Sequence, residues 1–220
     1  MKYLQEYFNF ILFIKILMKK LVVLFYLFLS CQLFGQKIDK VVEKQIYRSY
    51  FSYTLKSPLY VVYDLYNGGG SFSRKNLRFL EEEGTAKNKD YAKSGYDKGH
   101  LVNAEDFAYD PELEKKTFSL YNVFAQHPKL NRGSWKTWEI IIRNESKKWP
   151  LKIYVGAIYG QRKIKGKITI PEYCWKVVIN KKTGLVMHSL IFKNDETEAT
   201  SRITLQELKS KLNYPIDFLK

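Results

Sequence analysis

Two apolar runs flanking a four-residue turn fix the first pairing in this chain: EYCWKVVIN (172–180) and LVMHSLIF (185–192), joined by KKTG. Both are filled with β-branched and aromatic side chains, and a turn ending in glycine between such runs reads as a β-hairpin. PLYVVYDL (58–65) and KIYVGAIYG (152–160) are further strands of the same kind, the first broken by GGG at 68–70. TFSLYNVFAQ (117–126) alternates well enough to be another, and His127-Pro128 stops it. From Asn131 to Trp149, Trp135, Trp138, Ile142 and Glu145 or Ser146 recur at three- and four-residue spacing, the signature of a helix, which Pro150 terminates. TLQELKSKL (204–212) reads as a closing helix whose Thr204 and Glu207 form a capping box. Residues 71–96 are polar and poorly periodic, a long loop of the sort that carries binding residues. Strands and helices mix without regular βαβ alternation, so the expected fold class is α+β, a central antiparallel sheet flanked by helices.

The first 35 residues stand apart from that pattern. With Met18 as the start, Lys19 and Lys20 make a basic n-region, Leu21 to Leu29 an apolar h-region, and Leu33-Phe34-Gly35 an exit before Gln36, the plan of an export signal. Ser30-Cys31 is the rival, a lipidated cysteine, but Phe28 sits where such a signal wants leucine, so a secreted or periplasmic protein without stable membrane association is the expectation. Residues 36–220 then form one domain, long enough to bury roughly 70% of its unfolded-chain surface. Cys174 would be its one cysteine, in an apolar strand, which excludes an internal disulfide and suits an inert buried thiol. The whole chain carries a formal +15. Without Lys2, Lys15, Lys19, Lys20 and Glu6, 33 basic and 21 acidic residues leave +12, an excess that favours an acidic partner.

Chemistry concentrates around His100 in SGYDKGHLVNAEDF. A lone histidine behind a glycine turn is ordinarily a hydrogen-bonded loop residue, but polar groups follow it in order: Asn122 ends a strand, Asn131 opens the helix, and Glu139 lies eight residues into it. Eight residues span about 12 Å along a helix axis, so Asn131 and Glu139 cannot both grip one ion. Glu139 can still reach back toward an ion's water shell, because side chains tilt toward the helix N-terminus. A single neutral amide oxygen suits a hard, strongly hydrated cation such as Mg²⁺, and a neutral imidazole can take a proton from water near neutral pH. His127 and His188 read as structural, and the chain has neither H-E-x-x-H nor paired His or Cys spacing for zinc.

YDKGHLVNAEDF followed by TFSLYNVFAQHPKLNRGSWKTWE resembles the DNA/RNA non-specific endonucleases of the ββα-metal type, which include secreted bacterial nucleases and endonuclease G. The likeness runs from Tyr53 to the C-terminus and is densest between Tyr91 and Glu139. It implies a ββα-metal motif, His100 as general base, and Asn131 as the one protein side chain on Mg²⁺, with Mn²⁺ or another divalent cation as alternatives. Asn122 and Glu139 would be supporting catalytic residues around the base and the metal's waters. The family's phosphate-steadying arginine corresponds to Arg74, with Arg78 the alternative, and Lys98 and Arg132 would add backbone contacts. The substrate implied is DNA and RNA with little sequence preference, cut to 5′-phosphate and 3′-hydroxyl ends; the competing expectation is a basic nucleic-acid binder that cuts weakly or not at all. Lys98 is a departure, since the family's usual motif is Asp-Arg-Gly-His and lysine lacks the arginine fork. Ala125, where a proline is common, is read as local geometry.

Overall fold

The expected hairpin forms within a seven-stranded sheet, one strand in from its edge. In the computed structural model, which describes Tyr3, residues 12–20, residues 35–216 and Phe218, the strands are β1 (Lys40–Lys44), β2 (Tyr47–Ser52), β3 (Ser57–Leu65), β4 (Asp97–His100), β5 (Val123–Gln126), β6 (Leu151–Ile164), β7 (Ile168–Asn180), β8 (Val186–Lys193) and β9 (Thr200–Arg202). Seven run in the order β1-β2-β3-β6-β7-β8-β9, every neighbour antiparallel, while β4 and β5 pair separately. From Lys37 onward the α-helices are α1 (Asn88–Tyr91), α2 (Pro111–Lys116), α3 (Pro128–Arg132), α4 (Ser134–Ser146) and α5 (Leu205–Lys211). The fold is thus α+β around an antiparallel sheet, and β4, β5 and α3 make the ββα unit.

At β7 both faces of the sheet are covered. Successive side chains of β7 point to opposite sides: Trp175 donates Nε1–H to the Tyr214 hydroxyl at 3.1 Å and packs on Phe218, while Lys176 lies over the Trp135 ring of α4. A strand buried on both sides has no polar face to show, which is why CWKVVI reads as an apolar run interrupted only by Lys176. β6 and β7 extend past their expected ends because their tip keeps a cover of its own. Ile164, Ile168 and Ile170 pack with Ala86, Tyr91, Val123 and Ala125, pinning the long 71–96 segment.

Two expectations need correction. Only Val123–Gln126 of 117–126 is strand; Ser119 accepts from the Tyr121 N–H and starts a tight turn that rolls Asn122 inward. The helix expected from Asn131 to Trp149 begins at Pro128, breaks at Gly133 and ends at Ser146. Pro128 fits the first helical position, where its missing N–H costs nothing. At Gly133 the Glu198 carboxylate occupies the place of a side chain and accepts the Ser134 N–H at 2.7 Å, starting a new helix. Asn131 and Glu139 therefore stand on separate helices, and the spacing along one axis does not apply. The closing helix has its capping box, Thr204 and Glu207 each accepting from the other's backbone N–H.

Contacts divide the chain into Met1–Gln36 and Lys37–Lys220. In the first unit residues 12–20 are helical, whereas Leu21 to Leu29, Cys31 and the expected exit at 33–34 lie outside the described residues. Among the described residues no helix is long and apolar enough to cross a membrane.

Candidate active site

β4 and β5 pair with Lys98 opposite Ala125 and His100 opposite Val123, so Lys98 and His100, two apart, share a face. That face forms one wall of a cleft of about 200 Å³, whose lining includes Arg74, Lys98, His100, Asn131, Arg132 and Glu139. Six of the seven residues singled out from the sequence thus meet at one place. Asn122 does not. It is fully buried, its amide donates to the carbonyls of Val102 at 3.0 Å and Thr117 at 2.9 Å, and its Oδ1 accepts the Val102 N–H at 2.8 Å. Every polar atom of that side chain is spent on the backbone of Val102, two residues past His100, and of Thr117, so Asn122 fastens the chain beside His100 without lining the cleft. Arg78, the alternative to Arg74, is exposed and outside the lining.

His100 lies between two rings, Phe79 at 4.8 Å and Phe118 at 4.9 Å, and its Nε2 is buried without a hydrogen-bond partner. Burial first, then the charges of Arg74 and Lys98, push its pKa from 6.5 down to about 3. The imidazole is therefore neutral throughout the physiological range. Lys98 is itself pushed down by burial; its ammonium donates to Asn88 Oδ1 at 2.6 Å and sits over the Phe79 ring.

Asp97, at the start of β4, organises α3. One carboxylate oxygen accepts from Asn131 Nδ2 at 2.8 Å and from Arg132 Nε at 3.0 Å, the other from Arg132 Nη2 at 2.8 Å. With its amide nitrogen anchored there, Asn131 keeps its carbonyl oxygen as the free end. That oxygen and the carboxylates of Glu139 and Glu105, both in the lining, are hard donors of the kind Mg²⁺ prefers.

Beneath Glu139 lies a layer of charge that the sequence reading missed. Lys176, 1% exposed, has its ammonium 3.8 Å from Glu139 Oε1 and 3.9 Å from the Trp135 ring centroid. Arg143 donates Nε–H to buried Asp106 at 2.8 Å and pairs with Glu105 at 3.1 Å, Tyr63 donates to Asp106 at 3.1 Å, and Asn103 lines the cleft with Glu139. Arg143 Nη2 is buried without a partner. Burial pushes Glu139 up to about 7, against Lys176, which lowers it, and with Asp106, which raises it. Arg143 was legible, four residues beyond Glu139 and so on the same helix face. A lysine inside an apolar strand was the signal for Lys176. His188 is bound by Glu145 at 2.8 Å, and burial pushes the Cys174 thiol well up, away from reactivity.

These shifts bear on stability with opposite signs. Between pH 6.5 and about 3 the unfolded chain binds a proton that folded His100 refuses, so the histidine's contribution is complete above 6.5 and fades toward 3, by about 1.4 kcal/mol per pH unit. Folded Glu139 holds a proton that the unfolded chain releases between 4.5 and about 7, so its contribution is present below 4.5 and lost as pH rises. The difference between variants isolates the histidine. Thermal unfolding of the parent and His100→Asn should show a gap in Tm that narrows as pH falls across roughly 6.5 to 4. A constant gap would mean the imidazole is not held neutral.

Comparison with known proteins places these features. The sequence profile of the DNA/RNA non-specific endonuclease family matches residues 30–215. Human mitochondrial endonuclease G is 28% identical over 135 residues, 52% of this chain and 45% of that protein. Nuclease 1 of Schizosaccharomyces pombe is 28% identical over 162 residues, 63% of this chain and 50% of that one. A nuclease from Nostoc sp. is 32% identical over 91 residues, 40% and 33% respectively. The chain thus spans half or less of the length of these curated relatives. In structure it is similar to the EndoG/EndoGI complex, with a TM-score of 0.69 at 20% identity over 80% of this chain and 84% of that one, a likeness of fold.

Proposed function

The chain belongs to the DNA/RNA non-specific endonuclease family, and from that premise we propose that it hydrolyses phosphodiester bonds in DNA and RNA, leaving 5′-phosphate and 3′-hydroxyl ends. The observation that carries the reading is the cleft itself: a neutral, unpartnered imidazole facing cationic side chains and the free oxygen of an anchored asparagine. Arg74, Lys98 and Arg143 receive the phosphate. Its negative charge offsets the two cations that depress His100, so the imidazole gains basicity as substrate enters. His100 then takes a proton from water as the new oxygen–phosphorus bond forms and the bond to the 3′ oxygen breaks, that oxygen leaving with a solvent proton. Asn131, with Glu139 facing the ion's waters, would hold a divalent cation, Mg²⁺ by preference, which supplies neutralising charge at the phosphate and the departing oxygen. Side chains in the cleft that bind phosphate carry no base code, so little sequence preference and a steep salt dependence follow. The basic, apolar N-terminus supports export of the domain, secreted or periplasmic.

The test is incubation with supercoiled plasmid and Mg²⁺, with and without chelator. Nicking and fragmentation that chelator abolishes is the expected result; plasmid retarded in a gel but intact would favour a binder that does not cut. Asn131→Ala should raise the Mg²⁺ concentration needed for half-maximal rate by roughly tenfold or more while DNA binding persists. Lost binding with normal turnover per bound complex would remove Asn131 from the metal site.

A further inference from the structure

The segment between β3 and the cleft is clamped flat against residues 106–108. Gly69 N donates to Asp106 O and Phe72 N to Ala108 O, each at 3.1 Å. Gly70 has φ of 128°, and a Cβ there would lie 2.1 Å from the Ala108 carbonyl carbon, so only glycine admits so close an approach. The clamp adjoins the cationic wall: Gly69 borders Arg143 Cδ, and Arg74 follows Phe72 by two residues. What it presents to solvent is aromatic. Phe72 is 43% exposed and Tyr109 55%, the latter leaning on Phe107 with ring centroids 6.3 Å apart. Rings held in water beside a site of phosphate-binding charge are the platform on which unpaired bases stack, whereas the base faces of a duplex are already covered by their neighbours.

Resting on the phosphodiester reading above, we propose that Phe72 and Tyr109 form a stacking shelf for unpaired bases of the strand whose phosphate enters the cleft, so that single strands are taken in preference to duplex. Arg74 and Arg143 share Glu105, but five basic side chains line the neighbouring cleft against two carboxylates, Glu105 and Glu139, and that excess fixes the occupant as a polyanion, while the rings fix it as one that carries bases.

Fluorescence anisotropy in chelator, where no strand is cut, tests this with a labelled thymidine oligomer, an abasic strand of the same length and a duplex. The parent should bind the thymidine strand about tenfold more tightly than the abasic one. Combining Phe72→Ala with Tyr109→Ala should erase that margin and leave abasic and duplex affinities within about twofold, while Phe72→Trp and Tyr109→Phe keep it. A margin that survives the double alanine variant, or equal losses on all three polymers, would overturn the shelf alone. Binding to none of them would overturn the phosphodiester reading, and the shelf with it.

Discussion

Alanine at His100 should slow plasmid hydrolysis by about 10²–10⁴-fold, the range expected for loss of a positioned proton acceptor, while affinity for nucleic acid stays within about twofold. The two effects separate because the side chains proposed to receive the phosphate, Arg74, Lys98 and Arg143, are others in the same cleft. His100→Asn is the companion variant. It keeps a polar group between Phe79 and Phe118, limits the cavity left by alanine, and should be as slow, since an amide does not accept a proton near neutral pH. Single-turnover rates beside anisotropy decide the matter. Parental rates in both variants would remove His100 from the chemistry, and a loss of binding equal to the loss of rate would make it a substrate anchor.

Legibility in the sequence followed the range over which each feature is decided. The β7–β8 hairpin and the cap of α5 depend on residues a few positions apart, and both were readable. β1 and β2 escaped because KVVEK and YRSYFS interleave charge with apolar residues, as suits strands with one face toward solvent. The break at Gly133 is made by Glu198, far along the chain, so no local signal marks it. At the site the same rule holds. His100, Asn131 and Glu139 came through an ordered motif, and Asn122 with them, but that Asn122 spends its side chain on backbone beside the base instead of lining the cleft is decided by packing alone. Lys176, Asp106 and Tyr63 arrive from β7, a tight turn and β3, two strands away across β6, and only packing brings them under Glu139.

That buried layer yields the largest expected change in stability. Lys176 and Arg143 face the carboxylates of Glu139 and Asp106, with Tyr63 and Asn103 as the polar neighbours, so removal of Lys176 leaves two buried carboxylates with one cation. Breaking one side of a buried ion pair costs about 3–5 kcal/mol, which in a domain of this size lowers Tm by roughly 10 °C. Lys176→Met should show that loss at pH 8, where Glu139 is ionised, and less of it at pH 6. The lysine is the foremost influence holding the acid's pKa down, so without it Glu139 keeps its proton to higher pH. Any activity that needs the Glu139 carboxylate should then turn on at higher pH than in the parent. Adding Glu139→Gln removes the stranded charge and should recover most of the stability without recovering the rate, a separation that simple loss of packing over Trp135 would not produce. If Lys176→Met melts with the parent at pH 8 and its rate profile does not move, the lysine neither balances nor tunes Glu139, and the carboxylate's charge state must be set by burial, Asp106 and Arg143.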